Sequence, residues 1–452
     1  MLVFAVVLVA GQAAVGMRAS RTGSITGDEP FYVATAQSLV SDGDLDLRDE
    51  YARGQREIER FWDGSIPLWR QMVPMDDGRL VSPHDPGLSL LIAPAYAAGG
   101  LRGAQRFLVA LWAAAMACAA LLARRARVPA FPSALAAIAI GAGAPGIVYA
   151  SQIYPEAPAA LAVAIALLCK RRPVVLAFAL VALAWLGVKY VPLAALITLT
   201  WAWRNRADKR AIATTAVIAT AAAAHFVWWH LHTFEGLTPY TTNAVWAGEG
   251  TVAIVADHLD VTDRLYRLHG VFLDTRFGLF RWSPVAIVAA LGATRATTRH
   301  VSVLATSVLV ATFASITIMG WSFPARHLVV ALPSVAVLAA AGLTRVPRAV
   351  SAAVAAWSVA IGATTAWGAH HRWIRLAVDP FDLGPPLPPH WLFPDFREMG
   401  WPEIGVTTVW FIALAGVVSL VRWRSSSSST GTRWPTGRSS PSRPTWRPLP
   451  GR

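Results

Sequence analysis

The sequence predicts an all-α protein that crosses a membrane many times, and three observations carry that prediction. Of its 452 residues 55% are hydrophobic and only 15% charged, with a mean hydropathy of +0.46; a soluble domain is nearer one quarter charged. The apolar residues fall in blocks of roughly 15–20 separated by short basic clusters, the length a helix needs to cross a bilayer. The blocks do not alternate polar and apolar, which excludes a closed barrel, the other structure that satisfies its backbone inside lipid. The net charge of +14 would point to nucleic acid in a soluble chain, but here it is confined to the connections between blocks, so no nucleic-acid partner is expected. Cys118 and Cys169 are the two cysteines and lie in apolar blocks. They imply neither a disulfide framework nor a zinc site, and read as small apolar side chains.

Twelve spans follow, at about residues 2–16, 105–123, 130–150, 157–169, 173–187, 190–203, 211–229, 282–294, 301–319, 328–343, 349–368 and 405–421. Several are short and must tilt little or extend into their flanks. Residues 88–100 are apolar but too few for a span, and fit an interfacial or re-entrant helix. Every second connection is basic: Arg124-Arg125-Ala126-Arg127, Lys170-Arg171-Arg172, residues 204–210, 295–299 and 344–348. Together with the tail these pieces hold a single acid, Asp208. The positive-inside rule then puts both termini in the cytoplasm of a plasma-membrane protein. Residues 1–16 have no basic residue ahead of them and could be a signal-peptide-like apolar stretch; they are read as an uncleaved first span, with a start further upstream left open.

Three outer segments are long, about residues 17–87, 230–281 and 368–404, and the first holds 13 acids against 8 basic residues. Connections of that length usually carry function. Residues 1–423 therefore form one membrane domain. Residues 424–452, rich in Ser, Pro and Arg and free of acids, read as a disordered cytoplasmic tail.

The candidate functional residues all fall on the outer side. Thr26-Gly27-Asp28-Glu29-Pro30-Phe31-Tyr32 puts two adjacent carboxylates at the membrane surface. Asp28 could simply cap a short surface helix from Pro30. Equally, a helix N-terminus favours its ionised form, which can accept a proton or a hydroxyl hydrogen bond. Asp28 and Glu29 are thus candidate catalytic carboxylates, with Tyr32 a candidate substrate contact. At the far end of the same loop, Val81-Ser82-Pro83-His84-Asp85-Pro86-Gly87 offers His84 to a sugar or phosphate, or merely as a turn residue. Polar residues at the membrane edge are functional candidates by default: Glu156 in Tyr154-Pro155-Glu156, Lys189 in Lys189-Tyr190, Arg326 and His327 in Trp321-Ser322-Phe323-Pro324-Ala325-Arg326-His327, and Arg276 with Arg281 around Phe277-Gly278-Leu279-Phe280. Two outer cations, Lys189 and Arg326, beside an outer carboxylate suit a lipid phosphate; snorkelling or an ion pair is the plainer role for each. Asp44-Leu45-Asp46 and Asp42-Gly43-Asp44 are read as turns, since neither a βαβ pattern nor EF-hand spacing surrounds them.

In that order the motifs resemble the GT-C superfamily of membrane glycosyltransferases, which includes protein O-mannosyltransferases and lipid A aminoarabinose transferases. The likeness runs through a short first span, Gly27-Asp28-Glu29-Pro30-Phe31-Tyr32, a loop end at Ser82 to Gly87, Tyr154-Pro155-Glu156, His269-Gly270-Val271 with Arg276-Phe277-Gly278-Leu279 and Pro284, and Gly320-Trp321 through Pro324-Ala325-Arg326. It spans residues 1–343. It implies a polyprenyl-phosphate-sugar donor, a lipid, glycan or protein acceptor outside the cytoplasm, and inversion at the anomeric carbon. Asp28 would act as general base, with Lys189 and Arg326 stabilising the departing phosphate. No cofactor is required, although some relatives bind a divalent metal. Asp85 stands where a proline is common in the family. A transporter or flippase of a lipid-linked or small polar substrate, or a non-catalytic partner subunit, are the alternatives.

Overall fold

Arg125, Arg204, Arg299 and Arg345, from basic connections that the sequence spreads along the chain, gather at one end of a helical bundle, and the candidate site gathers at the other. The structure, a computed structural model, describes residues 1–20, 23–52, 73–169, 172–238, 261–315, 317–320, 322–377 and 389–430. Trp321, Lys170 and Arg171, and the part of the tail expected from residue 424 that follows Thr430, lie outside the described residues.

The helices in chain order are α1 (Leu2–Ala14), α2 (Glu29–Ser41), α3 (Gly87–Arg125), α4 (Ala130–Gly141), α5 (Ala144–Ser151), α6 (Glu156–Leu168), α7 (Pro173–Leu186), α8 (Val191–Arg204), α9 (Lys209–Phe234), α10 (Arg267–Leu273), α11 (Leu279–Trp282), α12 (Thr298–Leu309), α13 (Leu332–Leu343), α14 (Arg348–His370) and α15 (Trp401–Thr430). A two-stranded antiparallel ribbon, β1 (Val73–Pro74) and β2 (Leu80–Val81), pairs Val73 with Val81. Helix α15 runs to Thr430, past residue 424, where the tail was expected to begin.

Among the described residues, five helices are long and apolar enough to cross a membrane, or six if α4 and α5, bent by 59° at their junction, form one broken span. Four further apolar helices are shorter. The count of twelve is therefore not reproduced. The clearest departure is at residues 282–294, where the chain forms a 3₁₀ helix over Pro284–Gly292. Nine residues at a rise of about 2 Å reach roughly 18 Å, short of a hydrocarbon core about 30 Å thick. This segment instead packs tightly inside the protein: a Cβ on Gly292 would sit 1.8 Å from the Leu338 carbonyl oxygen. Small residues that let backbones meet are what hold helices together when lipid is as apolar as the side chains. The partner, Arg326–Leu343, is the most enclosed membrane-length segment, with 89% of its apolar window buried.

Helix α3 is interrupted at Gly99 and Gly100, the latter at φ +57°, a left-handed conformation that glycine adopts without steric cost. The break separates residues 87–98 from the stretch that packs along α1, as the shortness of that apolar block suggested. Gln105 of α3 accepts from the Gly16 amide at 3.2 Å, and Gly11 of α1 abuts Val109, so α1 runs antiparallel to this part of α3. The chain start and Arg125 consequently share an end. There, Arg125 donates to the Leu168 carbonyl at 2.7 Å and Arg299 to Leu167 at 3.1 Å, and Arg345 donates to Leu291. Guanidinium groups on the open carbonyls of helix ends complement the helix dipole. Asp42 to Asp46 forms a turn, as expected: the Asp44 carboxylate accepts from the Ser38 hydroxyl at 2.8 Å and the Asp46 amide at 3.0 Å.

Candidate active site

The turn before α2 is built by glycine and closed by glutamate. Gly27 sits at φ +60°, which turns the chain so that Asp28 and Glu29 leave in different directions. The Glu29 carboxylate reaches back to the Thr26 amide at 3.0 Å, closing the turn that leads into α2. Its other oxygen accepts from the Ile153 amide at 2.8 Å. Glu29 is wholly buried and ties the first outer loop to the connection between α5 and α6. Burial pushes its carboxyl up to about 8, against the pull of the two amides, and the charge of Asp28 adds to the rise.

Asp28 occupies the cap position of α2, yet its side chain makes no capping hydrogen bond. Its carboxylate accepts instead from Arg326 at 2.7 Å. Burial alone would raise its pKa. Arg326, His84 and Lys189 overcome that and hold it down at about 2. The backbone that delivers Arg326 is constrained: Ala325 lies at φ +62°, where a residue with a Cβ pays roughly 1–2 kcal/mol. Its amide is held by the Phe277 carbonyl at 3.0 Å.

Arg326 bridges two acids. Its Nε donates to Glu156 Oε1 at 3.0 Å, and the Lys189 ammonium donates to the same oxygen at 2.8 Å. Tyr154 stacks under the guanidinium, 4.3 Å from ring centroid to the Arg carbon. The second oxygen of Glu156 is buried without a hydrogen-bond partner. Glu156 begins α6 and Lys189 lies in the 3₁₀ turn Val188–Tyr190 before α8, so the start of α2, the start of α6, the α7–α8 turn and the Arg326 turn converge on one cluster. Two carboxylates and two cations there are charge-balanced, with the cations exposed by 19% (Arg326) and 35% (Lys189). Exposure matters because those side chains can still be reached by a ligand.

His84 stacks on Tyr32 at 4.9 Å between ring centroids, with Phe31 at 5.9 Å. Burial lowers the His84 pKa, although Asp28 pulls it up. His327 meets the Ser315 hydroxyl through Nδ1 at 3.2 Å and the Thr317 carbonyl through Nε2 at 3.1 Å. A small cleft here is lined by Lys189, Arg326 and His327 together with Leu193, Val310 and Val330.

The structure thus brings Asp28, Glu29, Tyr32, His84, Glu156, Lys189, Arg326 and His327 to one end of the bundle. It places Arg276 elsewhere. That guanidinium is buried and pairs with Asp395 of the third outer segment. A buried guanidinium needs a carboxylate, and the nearest acid in the fold claims it. Arg281 donates to the Thr275 carbonyl. Asp274 accepts from the amides of Arg276 at 2.8 Å, Phe277 at 2.7 Å and Phe396 at 3.3 Å. This segment buttresses the Arg326 turn through Phe277 and does not touch Asp28. Sequence reasoning missed Asp395 and Asp274, for which an acid close to each outer arginine was the only signal. It also missed the pairing of Asp85 with the buried His230 at 3.5 Å. Among the described residues no group of three or more His, Cys, Asp or Glu side chains could hold a metal ion.

The sequence matches no family profile and no curated protein. Two solved structures are similar in the course of the chain. One is the crystal structure of ArnT from Cupriavidus metallidurans bound to undecaprenyl phosphate, at a TM-score of 0.47 and 15% identity, covering 81% of this chain and 70% of that one. The other is the same protein in the apo state, at 0.44 and 14%, covering 82% and 75%. At these scores and identities the likeness carries no inference about activity, which has to be argued from the residues themselves.

Proposed function

We propose that this chain is an inverting glycosyltransferase that moves a sugar from a polyprenyl-phosphate donor to an acceptor hydroxyl on the extracytoplasmic face of the plasma membrane. The observation that carries the reading is the charge-balanced cluster of Asp28, Arg326, Glu156 and Lys189 at the end of the bundle opposite the basic connections, beside a small cleft lined by both its cations and by aliphatic side chains.

That mixed lining suits a lipid phosphate, with its charge on Lys189 and Arg326 and the start of its chain against Leu193, Val310 and Val330. Phosphate arrival gives Arg326 a third anion to serve, beside Asp28 and Glu156. As Arg326 turns toward it, Asp28 loses the partner that keeps its basicity low, so the base is strengthened only when the donor is in place. Asp28 then takes the proton of the acceptor hydroxyl as that oxygen bonds to the anomeric carbon. The bond from that carbon to the phosphate oxygen breaks on the opposite face, and Lys189 and Arg326 stabilise the charge that develops there. His84 on Tyr32 borders the sugar, and His327 borders the phosphate. Glu29 positions Asp28 through its two backbone contacts rather than reacting. Glu156 holds the two cations in register. No step of this reading requires a metal ion.

The test is transfer from a panel of radiolabelled polyprenyl-phosphate sugars by membranes carrying wild type or Asp28→Asn. Wild type is expected to transfer from at least one donor, and the variant to express normally and lose product by at least about a thousandfold. Full product from Asp28→Asn would sink the mechanism. Movement of the lipid-linked sugar across the membrane without transfer would favour a flippase.

A further inference from the structure

A second cavity lies at the opposite end of the bundle, between the last turns of α6 and α8 and the first turn of α12. It is the larger of the two, with about 750 Å³ of empty space counting its mouth, and is lined by Ala166, Leu167, Cys169, Ile197, Thr200, Trp201, Arg204, Asn205 and Arg299. Its lining combines two arginines with membrane-helix side chains and contains no acid. Arg204 makes no hydrogen bond or ion pair among the described residues. Arg299 donates to the Leu167 carbonyl at 3.1 Å and to His300 at 3.3 Å, and its remaining N–H groups have no partner among the described residues.

The charges facing this cavity are all of one sign. Arg125 of α3 lies beside it, turned to the Leu168 carbonyl, and burial together with Arg204 and Arg125 lowers the pKa of Arg299. His300 of α12 turns away to Ser334 at 3.1 Å. Asp208, the one acid of the basic connections, caps α9 by accepting from the Ala211 amide at 3.0 Å. Guanidinium groups that converge without a carboxylate repel one another, and an anion in their midst relieves that cost. A soluble anion gains nothing from Leu167, Ile197 and Trp201, whereas a lipid places its phosphate on the arginines and its chain against those side chains.

We propose that this cavity binds the headgroup phosphate of an anionic membrane lipid, held between Arg204 and Arg299. The site is separate from the Asp28 cluster and does not depend on the activity assigned there.

The test uses the purified full chain in neutral detergent and measures binding of dioctanoyl phosphatidylglycerol, dioctanoyl phosphatidylcholine and inorganic phosphate to wild type, Arg204→Gln and Arg299→Gln. Arg204 is the cleaner probe because its side chain holds no other residue in place; an unchanged thermal unfolding curve verifies that Arg204→Gln folds. The expected result is saturable binding of phosphatidylglycerol, weakened about 10–100-fold in Arg204→Gln, with phosphatidylcholine weak and inorganic phosphate unable to displace the lipid at equal concentration. Equal binding of the two lipids, displacement by inorganic phosphate at equal concentration, or unchanged binding by folded Arg204→Gln would each overturn the proposal.

Discussion

Replacing Arg326 by Gln removes the cation that keeps Asp28 ionised at low pH, and the consequence is calculable. Asp28 is held at about 2 against an ordinary value of 3.8. That depression corresponds to about 2 kcal/mol in favour of the carboxylate, at 1.36 kcal/mol per unit. Burial works the other way and remains after the substitution, with only His84 and Lys189 to oppose it. The Asp28 pKa in Arg326→Gln is therefore expected to rise by about two units or more. The sign follows from the role: a general base must be deprotonated, so activity falls as pH drops through its pKa. Wild-type kcat/KM, which reports the free enzyme, should be flat down to about pH 4. The variant should show an acid limb within roughly pH 4–6, on a rate already lowered about 10²–10³-fold by loss of a donor to the departing phosphate. Infrared titration of the protonated carboxyl, with Asp28→Asn as the blank, reads the same shift without turnover. An acid limb shared by wild type and Arg326→Gln would refute the claim that Arg326 governs Asp28.

Glu29 titrates in the opposite sense: its folded value, about 8, lies above the ordinary 4.5, so the stability it contributes is complete below about pH 4.5 and is lost as pH rises through 8. Thermal unfolding of wild type should decline over that window. Glu29→Gln should remove this dependence and cost about 1–3 kcal/mol at pH 6, because an amide has one acceptor oxygen for two backbone donors. Ala325→Gly should relieve the left-handed strain and stabilise by up to about 1 kcal/mol with transfer retained; a lower unfolding temperature would show that the turn needs the methyl group. Asp395→Ala should remove the ion pair that ties the buried Arg276 to the third outer segment and destabilise by about 1–3 kcal/mol, seen in denaturation.

Much of this was legible in the chain because it depends on local composition. Block length and hydropathy are enough to call for membrane helices, and the alternating basic connections correctly required that Arg125, Arg204, Arg299 and Arg345 share an end. The positive φ needed before Asp28 is written in Gly27. Span count was less legible: Pro284–Gly292 is a 3₁₀ helix whose Gly292 packs against Leu338, a residue distant in sequence. The partners of the charged groups were not legible at all. Asp28 reads as a helix cap, and only the fold brings it to Arg326, 298 positions away. Glu29 reads as the twin of Asp28, until the Ile153 amide, 124 positions on, makes it a buried tie. Arg276 reads as one outer cation among several, until Asp395 claims it. Hydrophobic patterning is a property of neighbours along the chain, so the sequence determines which segments are apolar enough to enter a membrane. Which carboxylate meets which cation depends on where helix ends converge, and that is decided by packing.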